Sequence, residues 1–546
     1  MLSSPPPTTA SHHGPLPVIA VLSTPARHPL TFHHICQPSC QSEAMSATSD
    51  AVEFPANAGT LEYALSQDAQ DPLRHLREHF IFPTVASLKK KALDGKIPAY
   101  PPNHKSPSPQ PSAQENGTGS AEAEAGSGSD ETTPAVYFCG NSLGLQPKAV
   151  REHLNAQLET WASVGVHGHF TAMEESPLGG SWQDMAADLA TKSVPIVGAA
   201  GADEIAIMNT LTANLHFMMA SFYRPTATRH KIIAEWKPFP SDTYAIASQI
   251  EWHGLDPAKS LVELHPNENF YISTEQILRT IDEHSNSTTL LLLPGIQYWS
   301  GQLFDMERIT AHARAKGITV GWDLAHAAGN VPLRLHDWGV DFAVWCTYKY
   351  LNAGPGAIAG AFVHRRHGEV TRAQGQGAQY HPRLAGWYGG DKSVRFDMAK
   401  EFVPTPGAQG WIVSNPSAID LAALSGALSV FSRTTMAELR AKSLRLTAYA
   451  EHLLGRVVAD EALARGDGRE PAFRIITPAN REERGAQLSV LLREGLLDTV
   501  IEKLGEAGVV LDKRKPNVIR VAPVPMYNTF EDVWRCVNAI RSAVMA

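Results

Sequence analysis

The chain has 546 residues, 43% of them hydrophobic, and 47 Lys and Arg against 55 Asp and Glu give a formal net charge of −8. That length supports a large core and two domains, and the dispersed charge argues against a broad nucleic-acid surface. Apolar runs stay short of the roughly 20 residues that span a bilayer, so no membrane partner is expected.

Residues 1–60 are rich in Ser, Pro, Thr and His and read as an unstructured extension. Their apolar patch, PVIAVL, is too short for a signal-peptide core and lacks a basic start. Arg27 is the lone Arg or Lys before Met45, which opens MSATSDAVEF, a stretch resembling an ordinary cytosolic start. HHICQPSC offers His33, His34, Cys36 and Cys40, but without strand or helix patterning, and no metal site is predicted. The five cysteines (Cys36, Cys40, Cys139, Cys346 and Cys536) are too few for a disulfide framework and favour a reducing compartment, so a cytoplasmic location is expected.

Residues 61–180 read as the N-terminal segment of a small domain, interrupted by a Pro-, Ser- and Gly-rich insertion at 101–133 that cannot bury a core. Residues 181–405 carry the pattern of a large α/β domain. There EIAIMN, HKIIAEW, TTLLLLP, GITVGWD, VDFAVWC and AIAGAFV are short Ile-, Val- and Leu-rich runs, mostly separated by helical stretches. That alternation predicts a mainly parallel sheet covered on both faces. Residues 406–546 read as a smaller α/β domain, with strands at LSVLL, VVLDK and VIRVAPV and a helix after Asn528.

In such sheets ligands bind beyond the carboxyl ends of the strands. After EIAIMN, Thr210-Leu211-Thr212 opens a helix whose apolar face is Leu215, Met218, Met219 and Phe222. Its hydroxyls and N–H groups suit a phosphate, and serve equally as a plain N-cap. After KIIAEW come Phe239 and Asp242, alternatively a core aromatic and a helix cap. After GITVGW come Asp323, whose simplest partner is a turn N–H, and then His326. After VDFAVWC comes Lys349, an ammonium that is costly to bury unpaired.

One cofactor satisfies these groups together. Pyridoxal phosphate needs a lysine, an acid for its ring nitrogen, an aromatic over the ring and a phosphate cup. Lys349, Asp323, Phe239 and Thr212 supply them in that order. GPGAIAG (Gly354, Gly356, Gly360) imitates a dinucleotide fingerprint, but it runs into a strand instead of opening a helix, so its glycines are assigned to the turn beside Lys349.

The segments YFCGNSLGLQP, MNTLTANLHFMM, KPFPSDTYA, YWSGQLFD, GWDLAHAAGNVPLRLHDWGVDFAVWCTYKYLNAGPG, GWYGG, SNPSAI and NVIRVAPVPMYNTFEDVW together resemble the kynureninase family. The resemblance runs from Tyr137 to Trp534. It implies the fold type I, class V aminotransferase-like architecture: a mainly parallel seven-stranded sheet with helices on both faces plus a smaller α/β domain. It implies hydrolysis of L-kynurenine or 3-hydroxy-L-kynurenine to anthranilate or 3-hydroxyanthranilate and L-alanine, in tryptophan catabolism that feeds pyridine-nucleotide synthesis. Lys349 would carry the cofactor as a Schiff base, Asp323 would hold the pyridinium proton and Tyr348 would shuttle protons. Leu211, Thr212 and Tyr348 would hold the phosphate, and Phe239, Pro240, Ser241, Asp242 and His326 would line the ring. Trp387 and Asn415 would come from the second subunit of a homodimer. Arg520 would clamp the substrate α-carboxylate, with His169 and Asn415 at its aryl end. Pro294 stands where some relatives have a serine near the phosphate.

The nearest rival is another enzyme of the same fold, a cysteine desulfurase or an aminotransferase. A desulfurase needs a mobile reactive cysteine, and Cys346 lies in a predicted strand. A non-catalytic protein on this fold would lack the lysine, the acid or the arginine, and all three are present.

Overall fold

The computed structural model describes residues 53–97 and 131–545, apart from residues 94, 175, 178, 373–376, 398–399 and 467–469. The cysteine/histidine motif near residue 36 and all but the last residues of the 101–133 segment lie outside the described residues, as does most of the 1–60 extension. The end of that extension is packed. Phe54 stacks on His452 with ring centroids 4.5 Å apart, and the Tyr449 hydroxyl donates to the carbonyl of buried Ala58 at 2.9 Å. The polar composition around Phe54 hid one aromatic anchor.

Leaving aside the two-residue ladders, β1 (Val136–Phe138) precedes a run of seven strands. These are β2 (Ile205–Ile207), β3 (Lys231–Glu235), β4 (Leu261–Leu264), β5 (Thr288–Pro294), β6 (Thr319–Asp323), β7 (Phe342–Trp345) and β8 (Gly360–Val363). Four more follow: β9 (Phe473–Ile475), β10 (Leu488–Leu492), β11 (Val509–Arg514) and β12 (Val518–Val521).

The large sheet has the order β2-β8-β7-β6-β5-β3-β4, and only β8 runs against its neighbours. Its central strands are nearly continuous apolar runs because helices cover both faces. Helices Leu211–Phe222 and Pro240–Trp252 pack one face through Leu215, Met218, Ile246 and Ile250. Helices Met185–Val197, Thr274–His284 and Met306–Ala315 pack the other through Leu189, Ile277 and Ile309. Strand β4 escaped the sequence reading: it is an edge strand with only Leu264 buried, and its hydrophobic signal is weak.

The small sheet has the order β9-β10-β12-β11-β1. The chain's early strand β1 lies parallel to β11, with Val136 opposite Val509 and Phe138 opposite Leu511. Both ends of the chain therefore build one layer. Helices Met436–Arg465, Leu497–Glu506 and Phe530–Met545 bury its apolar face.

The turn after β7 carries Lys349 and is tied down on every side. Ala353 N donates to Thr347 O at 3.0 Å, and Asn352 N donates to Lys349 O at 3.0 Å. Thr347 Oγ1 donates to Ile358 O at 2.5 Å. Asn352 sits at φ 60°, a left-handed conformation that asparagine tolerates better than most side chains. Gly144, from the GNSLG segment, donates its N–H to Tyr348 O at 2.8 Å. A Cβ on Gly144 would collide with the Lys349 carbonyl and the Asn352 amide. Gly144→Ala is therefore expected to displace the lysine turn, costing about 1–3 kcal/mol of stability by overpacking. Turnover should fall at least about tenfold, because small misplacements of a reacting group are expensive. Thermal unfolding and steady-state assays of the variant check both.

Candidate active site

The carboxyl ends of β2, β3, β5, β6 and β7 converge on a cleft of about 170 Å³. Its lining includes Leu211, Thr212, Phe239, Ser241, Asp242, Asp323, His326, Tyr348 and Lys349. These come from four separate stretches of the sequence and were all predicted from strand ends or from the family resemblance.

Two helix N-termini face this cleft, those of Leu211–Phe222 and Pro240–Trp252. Thr210, at the N-cap position of the first, makes no side-chain cap hydrogen bond. The plain capping reading of that threonine therefore fails, and the N–H groups of the first turn remain as anion donors. Pro240 takes the first turn of the second helix, where its fixed φ is pre-organised and no N–H is lost. Asp242 lies two residues on and does not cap the helix; its side chain accepts from Ser241 Oγ at 3.2 Å.

Asp242 and Asp323 are both 6% exposed. Burial, and then the neighbouring Asp323 carboxylate, push Asp242 well above the ordinary carboxylate range. Asp242 thus holds the proton and its acid hydroxyl donates to Asp323. Asp323 also accepts from Ala325 N at 2.7 Å, the turn N–H expected from the sequence. These contacts fix the orientation of the Asp323 carboxyl group at the end of β6.

Lys349 Nζ lies 3.1 Å from His326 Nε2 and 5.9 Å from the centroid of the Phe239 ring. Burial, and then the Lys349 charge, push His326 well below its ordinary range. The imidazole is therefore neutral: Nε2 accepts from the lysine and Nδ1 carries the hydrogen. That buried Nδ1 has no protein partner. Burial and the adjacent Cys346 push the Tyr348 phenol upward, so it is a donor at neutral pH.

An amine, a carboxylate, an aromatic wall, an orphaned imidazole N–H and an uncapped helix N-terminus fit the aldehyde, ring nitrogen, ring face and phosphate of pyridoxal phosphate. Pro294, also in the lining, contributes neither hydroxyl nor N–H.

The other predicted residues lie elsewhere. Arg520 is fully buried in β12, the central strand of the small sheet, and not at an edge. Its guanidinium donates to Tyr298 O at 3.0 Å and pairs with Asp512, which also accepts from Ser142 Oγ at 2.9 Å. His169 meets Trp182 edge-on with centroids 5.0 Å apart. Phe170, beside it, reaches Phe396 at 5.8 Å, and Phe396 reaches Trp387 at 6.2 Å, forming an exposed aromatic row. Asn415 is exposed. Neither His169, Trp387, Asn415 nor Arg520 lines the cleft of its own chain.

The cleft also contains Thr210 of the threonine turn, together with Glu235, Ile296 and Tyr298, which sequence reasoning passed over as functional residues. Tyr298 was legible in YWSGQ, and Glu235 ends a strand as Asp323 does. Among the described residues, Glu204, His336 and His364 also bring three ligand-type atoms within 4.8 Å. The Glu204 carboxylate is already taken by His336 Nδ1 at 2.8 Å, Arg365 N at 2.9 Å and Ala200 N at 2.8 Å, a clasp between turns.

A family model described as the kynureninase C-terminal domain matches residues 439–540. A kynureninase of Pyricularia oryzae is 71% identical over 507 residues, covering 93% of this chain and 99% of the relative. Kynureninase 1 of Neurospora crassa is 64% identical over 492 residues, covering 90% of this chain and 96% of its own. Among solved structures, a cysteine desulfurase from Escherichia coli superposes with a TM-score of 0.59 at 18% identity, covering 75% of this chain and 94% of that one. A cystine C–S lyase in complex with cysteine persulfide gives a TM-score of 0.55 at 16% identity, covering 74% of this chain and 97% of that one. The likeness to these two is one of fold. High identity across nearly the whole of both chains is a likeness of another order, and by it the chain belongs to the kynureninase family.

Proposed function

We propose that this chain is a pyridoxal-phosphate-dependent kynureninase. It hydrolyses the Cβ–Cγ bond of L-kynurenine or 3-hydroxy-L-kynurenine: water and the substrate give L-alanine and anthranilate or 3-hydroxyanthranilate. The single observation that carries this is the half-buried Lys349 amine at 3.1 Å from the His326 imidazole, facing the Asp323–Asp242 pair.

When bound, the cofactor supplies an electron sink for negative charge at the substrate Cα and Cβ. The residues around it divide the remaining work. Lys349 is the amine that would hold the cofactor's aldehyde carbon, and, once displaced, the base for the Cα proton. His326 keeps that amine oriented through the 3.1 Å contact. Asp323 would meet the ring nitrogen as a carboxylate, with Asp242 holding it in place. Phe239 would cover the ring. Thr210, Leu211 and Thr212 would receive the phosphate, the threonine hydroxyls offering what Pro294 lacks. Tyr348 remains protonated at neutral pH, which suits a donor to a developing oxyanion or carbanion. Arg520 would bind the α-carboxylate through its planar fork.

The desulfurase alternative meets an obstacle in the thiols. Burial raises Cys139 to about 11 and also raises Cys346 and Cys536. Among the described residues none of the three is a poised thiolate.

The reading extends to a cytoplasmic homodimer with shared active sites. Trp387 (52% exposed) and Phe170 (62%) sit in an exposed aromatic row remote from the cleft of their own chain, which supports their service in a partner's. Among the described residues no helix is long and apolar enough to cross a membrane.

Purified protein supplied with pyridoxal phosphate is expected to release L-alanine and anthranilate from kynurenine, and Lys349→Ala to abolish this. A Lys349→Ala protein that still turned over would sink the assignment. Asp323→Asn should lower kcat about a hundredfold or more, while Asp242→Asn, isosteric with the protonated acid, should stay within about tenfold. Near-visible absorbance of the bound cofactor checks that both variants still hold it. Mixing inactive Lys349→Ala with an inactive Asn415→Ala protein should restore up to about one quarter of the activity if sites are shared across a two-fold interface.

A further inference from the structure

A hairpin from Ile296 to Leu303 projects beyond the carboxyl end of β5. Its turn is closed by Gln297 N to Gln302 O at 2.8 Å and Gly301 N to Gln297 O at 2.9 Å. The Gln297 side chain fills the inside. Its Oε1 accepts from Trp299 N at 2.6 Å and Ser300 N at 2.8 Å. The amide NH2 is thereby aimed outward. It faces the two oxygens of Glu235 at 3.2 and 3.4 Å and the Lys237 carbonyl at 3.2 Å. Glu235 is 1% exposed and accepts in addition from Lys237 N at 3.1 Å.

Two parts of the active site hang from this turn. The Tyr298 ring stands edge-on to Phe239 with centroids 5.3 Å apart. The Tyr298 carbonyl accepts from Arg520 Nη1 at 3.0 Å and from Gln487 Nε2 at 3.1 Å.

We propose that Glu235 is a positioning residue for this reaction: as a carboxylate it pins Gln297, and the turn so held sets Tyr298 beside Phe239 and Arg520 for the substrate carboxylate. The proposal rests on the role given to Arg520 above. It requires the ionised form. Every group that touches Glu235 is a donor, so a proton on either oxygen has no acceptor in Gln297, whose own oxygen is spent on the turn.

Burial raises Glu235 to about 7, partly offset by the hydrogen bonds from Lys237 N and Gln297. The ionisable groups that face it are Lys237 and Tyr298, the latter pushed up by burial and then by the Glu235 charge. The adjoining strand faces it with Leu264, and Asp242, Asp323, His326 and Lys349 lie in the same cleft. Because this acid is protonated below its midpoint, the turn is locked as pH rises through about 7 and loosened as pH falls through it.

The test uses the holoenzyme and the variants Glu235→Gln, Glu235→Asp and Gln297→Leu. In wild type, KM for L-kynurenine should rise as pH falls below about 7. Glu235→Gln should lose that limb, with KM about tenfold higher at pH 8 and kcat within about threefold, the size of one hydrogen bond to a charged group. Binding of L-alanine, which carries the same α-carboxylate but is not turned over, should weaken by the same factor. Glu235→Asp should keep the limb. Gln297→Leu should match Glu235→Gln, and the double variant should be no worse than either. A Glu235→Gln enzyme with wild-type KM and an intact limb would overturn the proposal. So would a loss confined to kcat with L-alanine affinity unchanged. A wild type that bound L-alanine with this dependence yet left kynurenine intact would overturn the kynureninase reading and leave this one standing.

Discussion

The structure is organised around one awkward placement, a lysine amine in a buried cleft at the edge of a sheet. Desolvating an ammonium is expensive unless something receives it. Here the receiver is a neutral imidazole at 3.1 Å, and the same cleft holds the protonated Asp242 against Asp323. The geometry of the Lys349 turn, the left-handed Asn352 and the close approach of Gly144 all keep that amine where its cost is balanced. A parallel sheet makes this economical, because successive strands deliver their terminal residues to the same edge.

That delivery is also why so much was legible. Asp323 and Lys349 announce themselves by ending apolar runs, and Asp323 lies in register beside Val344 of the strand that leads to the lysine. Thr212, Phe239 and Asp242 follow the same rule. The acidic group that ends β3 obeyed it too and was still passed over, since glutamate at a strand end has many ordinary explanations. Strand β4 was missed for a different reason: three of its four residues are not buried, so no apolar run marks it.

Contacts between the two sheets leave no periodic trace. Arg520 lies in the central strand of the small sheet, and its guanidinium crosses to the Tyr298 carbonyl. The partners are 222 positions apart, and neither run of sequence hints at the other. A role for the arginine came from the family resemblance alone, where pattern reasoning had no purchase. Likewise, the aromatic row from Phe170 through Phe396 to Trp387 joins residues far apart in the chain, of which sequence reading had weighed only Trp387.

The pairing of β1 with β11 has a consequence for synthesis. Val136 finds its partner only when Val509 has left the ribosome, so the small sheet cannot close until the chain is almost complete. The same holds for Asp68, which accepts from Phe530 N at 2.7 Å and Glu531 N at 2.9 Å, and for Arg77, which pairs with Asp532 at 2.7 Å. The large sheet meanwhile is assembled from residues 205–363 alone and can form first. Arg520 arrives with the late layer. On the role proposed for Arg520, the group that would recognise a carboxylate is therefore among the last parts of the site to be put in place.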